Sequence, residues 1–523
     1  MKLFARLLSH VNLQELPSIL MVGAITYVVY FYYKYFTRKN PLPGPIPLPL
    51  FGNFFMFSGD NAIVIKNLQA KYGDIFEFYR GPNRVVCLLN EDLVKEMMKP
   101  TLNSNFFQLT SHPDELKELG LFKAGIIYND YDGWVYNRRF FAKTIISPAF
   151  CKQAVVSVQA GFEEMNRYWD QLGEDFVLDL ADWMKRYFME TIVITTTSKP
   201  ANALVRYYEI LTDKSNKKKA NKGSDESGLF IDAVNSLFLI VGWYEVFPSY
   251  VRNFPGFNIY TAKLRKKFFW LRDNILKTIR AKRAEIDATP EGQPLVPDML
   301  TMFLTINTPR DITERIADDL HTKSMSDEQI FVNYLEVMLG GIDTGSNTSC
   351  FVVHYLAHYP EVKKKLLKEF ETVTGGNPDI KITVDLLNKL EYTEAVIKEV
   401  NRVFTVVPIG NRINRDPVTI GGITFPSGTS FTASRQALHM QKSLWSKPEE
   451  FNPDRFLKSN PENKNPFYMF GAGERKCPGR NLAMIEVKAT LLMLYMKYDV
   501  ELVDMNAPIN YQFIGRGQKS AGM

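Results

Sequence analysis

Phe470-Gly-Ala-Gly-Glu-Arg-Lys-Cys-Pro-Gly-Arg480 is the stretch from which the rest of the chain is read. Gly471 and Gly473 permit a tight hairpin, and an apolar helix containing Leu482, Ile485, Ala489 and Leu492 follows directly. Cys477 therefore falls just before a helix N-terminus, where backbone N–H groups donate to a sulfur and lower a thiol's pKa. A lone cysteine is ordinarily a small core residue; at this place Cys477 suits a thiolate metal ligand. Cys87, Cys151 and Cys350 are too scattered to make a zinc cluster or a secreted disulfide framework with it, which indicates a reducing compartment.

Upstream, Ser326 followed by Gln329 has the form of a capping box, and helix-compatible sequence runs from Asp327 until Pro360 forbids continuation. The first half of this helix is apolar on nearly all sides, through Ile330, Phe331, Tyr334, Leu335, Val337, Met338 and Leu339, so it is expected to cross the interior. From Gly340 to Ser349 glycines and polar groups then stand where propensity and burial both argue against them. Two readings follow. One is a kink stabilised by hydroxyl-to-carbonyl bonds. The other is a helix that opens beside a bound ligand, with Asp343 and Thr344 arranged to deliver protons.

With these two segments in view the chain resembles the cytochromes P-450. Residues 470 to 479 fit that family's haem-binding signature F-x-x-G-x-R-x-C-x-G without a mismatch. Four further motifs stand in family order: Trp134 and Arg138 as W-x-x-x-R, the Gly340–Ser346 run as the oxygen-binding motif, Glu399 and Arg402 as E-x-x-R, and Arg455 in FNPDRF. One departure is Gly345, where the family often has threonine; it bears on local helix packing more than on the acid-alcohol pair. The resemblance covers residue 16 to about 480 and implies a mainly α fold with small β-sheets (α+β). It implies haem b held by Cys477 as thiolate ligand, with Asp343 and Thr344 as the catalytic proton-delivery pair. Trp134, Arg138, Arg475 and Phe470 would hold the cofactor, as would Arg412 in VVPIGNR; Glu399, Arg402 and Arg455 would form a structural charge triad.

By the same resemblance the chain is a monooxygenase taking electrons from a membrane-bound NADPH flavoprotein reductase, with a small haem electron carrier as an optional second donor. Basic residues Arg139, Lys143, Lys476 and Arg480 would meet the reductase, unless they are solvated charges or propionate contacts. Residues 103 to 128, 334 to 344 and 404 to 409 would line the substrate pocket. Phe106, Phe107, Phe122, Ile126, Phe404 and Val407 make it apolar and aromatic, as a fatty acid, sterol or terpenoid requires. Two rivals are a haem-thiolate isomerase or dehydratase acting on a lipid peroxide, which has no need of Asp343-Thr344, and a non-enzymatic membrane haem-binding protein.

Working toward the N-terminus, Leu16 to Tyr33 carries no charge and approaches the roughly 20 residues that span a bilayer. Tyrosines and then Lys34, Arg38 and Lys39 follow it, so residues 1–39 are expected to be a single-pass anchor with the downstream body in the cytosol. Prolines at 41, 43, 45, 47 and 49 make residues 40–53 a stiff extended spacer, leaving 54–523 as the catalytic domain. An endoplasmic-reticulum membrane is the expected location; the first 40 residues lack the Arg/Ser-rich amphipathic pattern of a mitochondrial address.

Ile75–Tyr79 and Val85–Leu89 read as a hairpin, Val418–Phe431 as a second hairpin or a turn-rich strand region, and Leu229–Phe247 as core or as a surface dipping into the bilayer. The basic run Lys214 to Lys222 reads as a solvated loop. Across the 523 residues, 46% are hydrophobic and 13% aromatic, which excludes disorder as the dominant state. The 63 Lys and Arg against 57 Asp and Glu leave +6, short of the concentrated charge of a nucleic-acid binder.

Overall fold

The structure, a computed structural model, describes residues 16–57, 61–98, 105–108, 113–129, 131–212, 226–247, 249–254, 256–312, 324–377, 380–507 and 509. The basic run around Lys214–Lys222 and part of the expected pocket wall, 103–104 and 109–112, lie outside them. Among the described residues the helices longer than twelve residues are α1 (Leu16–Phe36), α2 (Tyr131–Ile146), α3 (Pro148–Leu172), α4 (Leu180–Thr197), α5 (Glu226–Val246), α6 (Phe257–Ala288), α7 (Asp327–His358), α8 (Pro360–Thr374), α9 (Glu391–Val403) and α10 (Arg480–Lys497). The strands are β1 (Ile75–Arg80), β2 (Asn83–Leu88), β3 (Phe106–Gln108), β4 (Ile409–Asn414), β5 (Val418–Ile420), β6 (Ile423–Phe425) and β7 (Ser430–Ser434). The fold is thus mainly helical with small sheets, as expected.

The central helix α7 forms as its caps dictate. The Ser326 hydroxyl accepts the Gln329 N–H at 3.2 Å, and the Gln329 side chain accepts the Ser326 N–H at 2.9 Å. Ile330 to Ile342 enter one hydrophobic core with α2, α5 and α6. Cys350 to Leu356 enter a second with α3, α4, α9 and α10. The polar middle of α7 therefore lies where the two cores meet.

Neither an opening nor a break occurs there, which corrects the expectation that the helix opens: α7 is helical throughout. Its polar side chains satisfy themselves on carbonyls one turn back, Thr344 on Gly340, Asn347 on Asp343, Thr348 on Thr344 and Ser349 on Gly345. The glycines serve close approach to α4. A Cβ on Gly341 would stand 2.6 Å from Cδ1 of Ile192, and one on Gly345 would overlap the Phe188 ring, whereas one on Gly340 meets nothing within 4 Å.

The first hairpin is β1–β2, but it belongs to a five-stranded sheet of order β1-β2-β7-β4-β3, in which β2 runs parallel to β7. Of the second expected hairpin only β5–β6 pair as such; Phe431 belongs to β7. The α5 segment contributes Ala233, Val234, Leu237, Ile240 and Tyr244 to the core.

Helix α1 is apolar from Pro17 to Phe36 and only 6% buried. Its exit is fixed rather than loose. Glu77 of β1 is buried between Arg38 and Arg84, 2.5 Å from each, and also accepts the Leu42 N–H. The proline segment lies against the same strand: the Glu77 N–H donates to Pro43 O, the Tyr79 N–H to the Asn53 side chain, and Gly52 bridges to Arg80.

Candidate functional site

The cysteine loop folds around its glycines. Gly471 (φ 72°) and Gly473 (φ 67°) occupy the left-handed region, and the Cys477 N–H closes the loop on Phe470 O at 2.8 Å. Gly479 is the N-cap of α10 and supplies no side chain, so the helix end keeps N–H groups to offer; that of Gly479 donates to the Cys477 sulfur. Cys477 keeps accessible surface although protein surrounds it on most sides, which places it in a recess.

Burial pushes the Cys477 thiol up, against the downward pull of Gly479 N–H, Arg138 and Arg435. The direction is opposite to that expected from the helix end, because desolvation of the thiolate outweighs one hydrogen bond and two nearby cations.

Arg138 and Trp134, one turn apart on the buried side of α2, reach this recess from the other side. Arg138 is close enough to feel the Cys477 charge, and burial lowers its pKa. The Arg475 guanidinium lies 4.3 Å from the Trp134 ring centre and donates to Ile126 O and Asn129 O. Arg412 on β4 is buried, and burial together with the Arg435 charge brings it down to about 10. Arg435 follows β7, donates to Val407 O at 3.1 Å, and feels Cys477 as Arg138 does.

Two guanidinium groups, Arg138 and Arg435, thus flank one thiol, a third, Arg412, stands beside Arg435, and among the described residues no carboxylate pairs with any of them. Unbalanced cations in partly desolvated protein are costly, and the arrangement fits a planar group that carries carboxylates of its own. Arg435 was not anticipated. Its signal was a cation at the first residue of a short helix (Arg435–His439), against the helix dipole.

On α7, Thr344 and Asp343 are half-buried, and Asp343 Oδ1 lies 3.6 Å from Lys185 Nζ of α4. Glu336, two turns earlier, is buried and accepts the N–H groups of Ile126 and Ile127. It too was missed, though a carboxylate inside the apolar run 330–339 was a visible anomaly.

Glu399 and Arg402 of α9 are fully buried and bidentate, at 2.7 and 2.9 Å. Arg402 also donates to His439 O, Pro448 O and Glu450 O. Arg455 approaches Glu399 at 3.5 Å but holds Glu462 more closely, at 2.6 Å. Of the basic residues expected to meet a reductase, Arg139, Lys476 and Arg480 are exposed, and the Lys143 and Phe107 side chains lie outside the description.

Sequence comparison agrees with this geometry. The cytochrome P450 family profile matches residues 42–520. Cytochrome P450 3A14 of Cavia porcellus is 25% identical over 465 residues, covering 88% of this chain and 86% of that protein. Cytochrome P450 3A27 of Oncorhynchus mykiss is 26% identical over 491 residues, with 91% and 87% covered, and cytochrome P450 3A25 of Mus musculus is 25% identical over 500, with 92% and 90% covered. A match over nearly the whole chain, with a thiol flanked by arginines that pair with no carboxylate among the described residues, leaves one conclusion: the chain belongs to the cytochrome P450 family, monooxygenases whose members bind haem b through a cysteine thiolate.

Proposed function

We propose that this chain is a membrane-anchored monooxygenase that hydroxylates a lipophilic small molecule of the fatty acid, sterol or terpenoid class, with Cys477 as the axial ligand of its haem. The observation that carries the site assignment is that Arg138 and Arg435 flank Cys477, with Arg412 beside Arg435, and that none of the three pairs with a carboxylate among the described residues. Arg138, Arg412, Arg435 and Arg475 would hold the two propionates, for which guanidinium forks are suited, while Trp134 and Phe470 would wall the group. When bound, thiolate-ligated haem supplies dioxygen activation: one oxygen atom enters the substrate, and the other leaves as water with two protons and two electrons.

The chain's own contribution is to place those protons. Asp343, partly exposed and paired with Lys185, exchanges protons with solvent, and Thr344 relays them toward the recess. The Thr344 hydroxyl donates to Gly340 O and so presents its lone pairs to an incoming donor. This need for protons favours a monooxygenase over a peroxide isomerase. Glu399, Arg402 and Arg455 hold the loop region behind the site.

The electrons come from an NADPH flavoprotein reductase that docks on the exposed Arg139, Lys476 and Arg480. Residues 1–39 anchor the catalytic domain, 54–523, to the cytosolic face of the endoplasmic reticulum, with 40–53 between them. An exposed apolar surface supports this: Phe55, Phe54, Trp243 and Tyr260 form a chain of ring contacts, and Phe55 and Phe254 are exposed.

The experiment is the reduced, carbon-monoxide-bound difference spectrum, followed by a lipid panel with NADPH and reductase. A thiolate-type band that Cys477→His abolishes, with reductase-dependent product, establishes the reading. A band that survives Cys477→His removes the axial ligand, and turnover without NADPH favours the isomerase.

A further inference from the structure

Segment 125–129 is gripped from two sides. From α7, Glu336 Oε2 accepts the Ile126 N–H at 2.6 Å and Oε1 the Ile127 N–H at 3.0 Å. From the cysteine loop, Arg475 donates to the carbonyls of Ile126 and Asn129. The segment's inner turn is closed by the Asn129 amide on Gly125 O at 2.7 Å. Gly125 is tight against the grip: a Cβ there would stand 2.5 Å from the Glu336 carboxyl carbon. Glu336 is also one and two turns before Gly340 and Asp343, on the same side of α7.

A buried carboxylate in an apolar run is costly unless it does something a hydrocarbon cannot. Here it accepts two backbone N–H groups that no helix or strand satisfies. Burial holds its carboxyl up at about 7, with the nearby Arg475 charge and the two N–H groups pulling the other way.

We propose that Glu336 is a positioning and specificity-determining residue: it latches residues 126 and 127 to the central helix, so that Ile126 forms a fixed wall of the substrate pocket and Arg475 is held against the segment's outer carbonyls. The proposal rests on the haem-site reading above for the pocket, but not for the latch. Charge-assisted bonds of this kind protect amides strongly, so releasing them raises local exchange by about tenfold or more.

The test uses the full chain with haem and three variants, Glu336→Ala, Glu336→Asp and Gly125→Ala, the last forcing the carboxylate away without removing it. Hydrogen exchange of the peptide holding residues 126 and 127 is read first. Imidazole and 4-phenylimidazole titrations follow, because only the larger azole touches the pocket wall. Glu336→Ala and Gly125→Ala are expected to accelerate exchange about tenfold or more and to change the ratio of the two azole affinities at least fivefold; Glu336→Asp is expected to restore part of both. Parent-like exchange in folded Gly125→Ala and Glu336→Ala proteins overturns the latch. Faster exchange with an unchanged azole ratio overturns its role in specificity. Loss of the thiolate-type band in the haem-replete parent overturns the site reading instead, and the exchange result still decides the latch.

Discussion

Gly345 of α7 and Phe188 of α4 meet so closely that a Cβ on the glycine would overlap the ring, and Phe188 is fully buried. This contact explains why a residue larger than glycine is absent after the acid-alcohol pair. Gly345→Ala is expected to cost about 1–3 kcal/mol by overpacking, read as a fall in thermal or urea midpoint. Gly345→Ala combined with Phe188→Leu should be more stable than the sum of the single changes. Gly340→Ala, whose added methyl meets nothing within 4 Å, should leave stability equal or raise it by up to about 1 kcal/mol through helix propensity. Equal losses at both glycines would refute the contact argument.

Glu399 takes Arg402 through two short bonds and Arg455 through one long one, which orders the consequences of removing each. Arg402→Ala strands a buried carboxylate and should cost about 3–5 kcal/mol, seen first as haem lost during purification. Arg455→Ala should cost less. Glu462→Gln should cost about 0–1 kcal/mol, because Glu462 is partly exposed. Urea midpoints and haem content of the three variants check the order; an Arg455 effect exceeding that of Arg402 would contradict it.

What could be read from the chain was what is encoded locally. The Ser326–Gln329 box, Pro360 and the apolar run between them define α7 without reference to anything distant, and Gly471 and Gly473 likewise define the cysteine loop. The five-stranded sheet was not readable, because Val85 pairs with Ser430, 430 − 85 = 345 residues away, and the pairing is set by tertiary packing. Of the two readings of the middle of α7, the hydroxyl-to-carbonyl bonds are present and the opening is not, for a similar reason. Its hydroxyls are satisfied by its own carbonyls, and its glycines answer to side chains of α4 that the local pattern does not contain. Glu336 and Arg435 broke local rules visibly, and only the fold shows what each of them faces.

The arginine cluster should behave differently with and without haem. Arg412 and Arg435 repel one another in the protein alone, so Arg412→Leu should leave the apoprotein's urea midpoint unchanged or raised. On the proposed reading the same change would remove a charge-assisted contact to a propionate, and haem transfer to apomyoglobin should quicken about tenfold or more. If the apoprotein were destabilised as much as the holoprotein, Arg412 would be a packing residue and not a cofactor contact.

Stability should fall as pH rises from about 6.5 to 8. Burial holds the Glu486 carboxyl at about 8 and that of Glu336 at about 7, both above the ordinary carboxylate value; Tyr187 on α4 and Arg475 are the titratable neighbours that face them. Between about 5 and 7 the folded chain keeps protons on these groups that the unfolded chain has released, so each contributes a negative slope of at most about 1.4 kcal/mol per pH unit. That contribution is complete below the ordinary carboxylate range and lost as pH passes 7 to 8. Glu394 works in the opposite sense: its lysine partners bring it down to about 2, so its stabilisation is present above the ordinary range and fades only as pH falls toward 2. Below about 6.5 His439 opposes the carboxyls, because burial brings its imidazole down to about 3 and only the unfolded chain takes up that proton; urea midpoints should therefore decline in the parent between about pH 6.5 and 8, and decline less steeply there in Glu486→Gln. An unaltered slope in the variant over that window would show that Glu486 ionises normally in the fold.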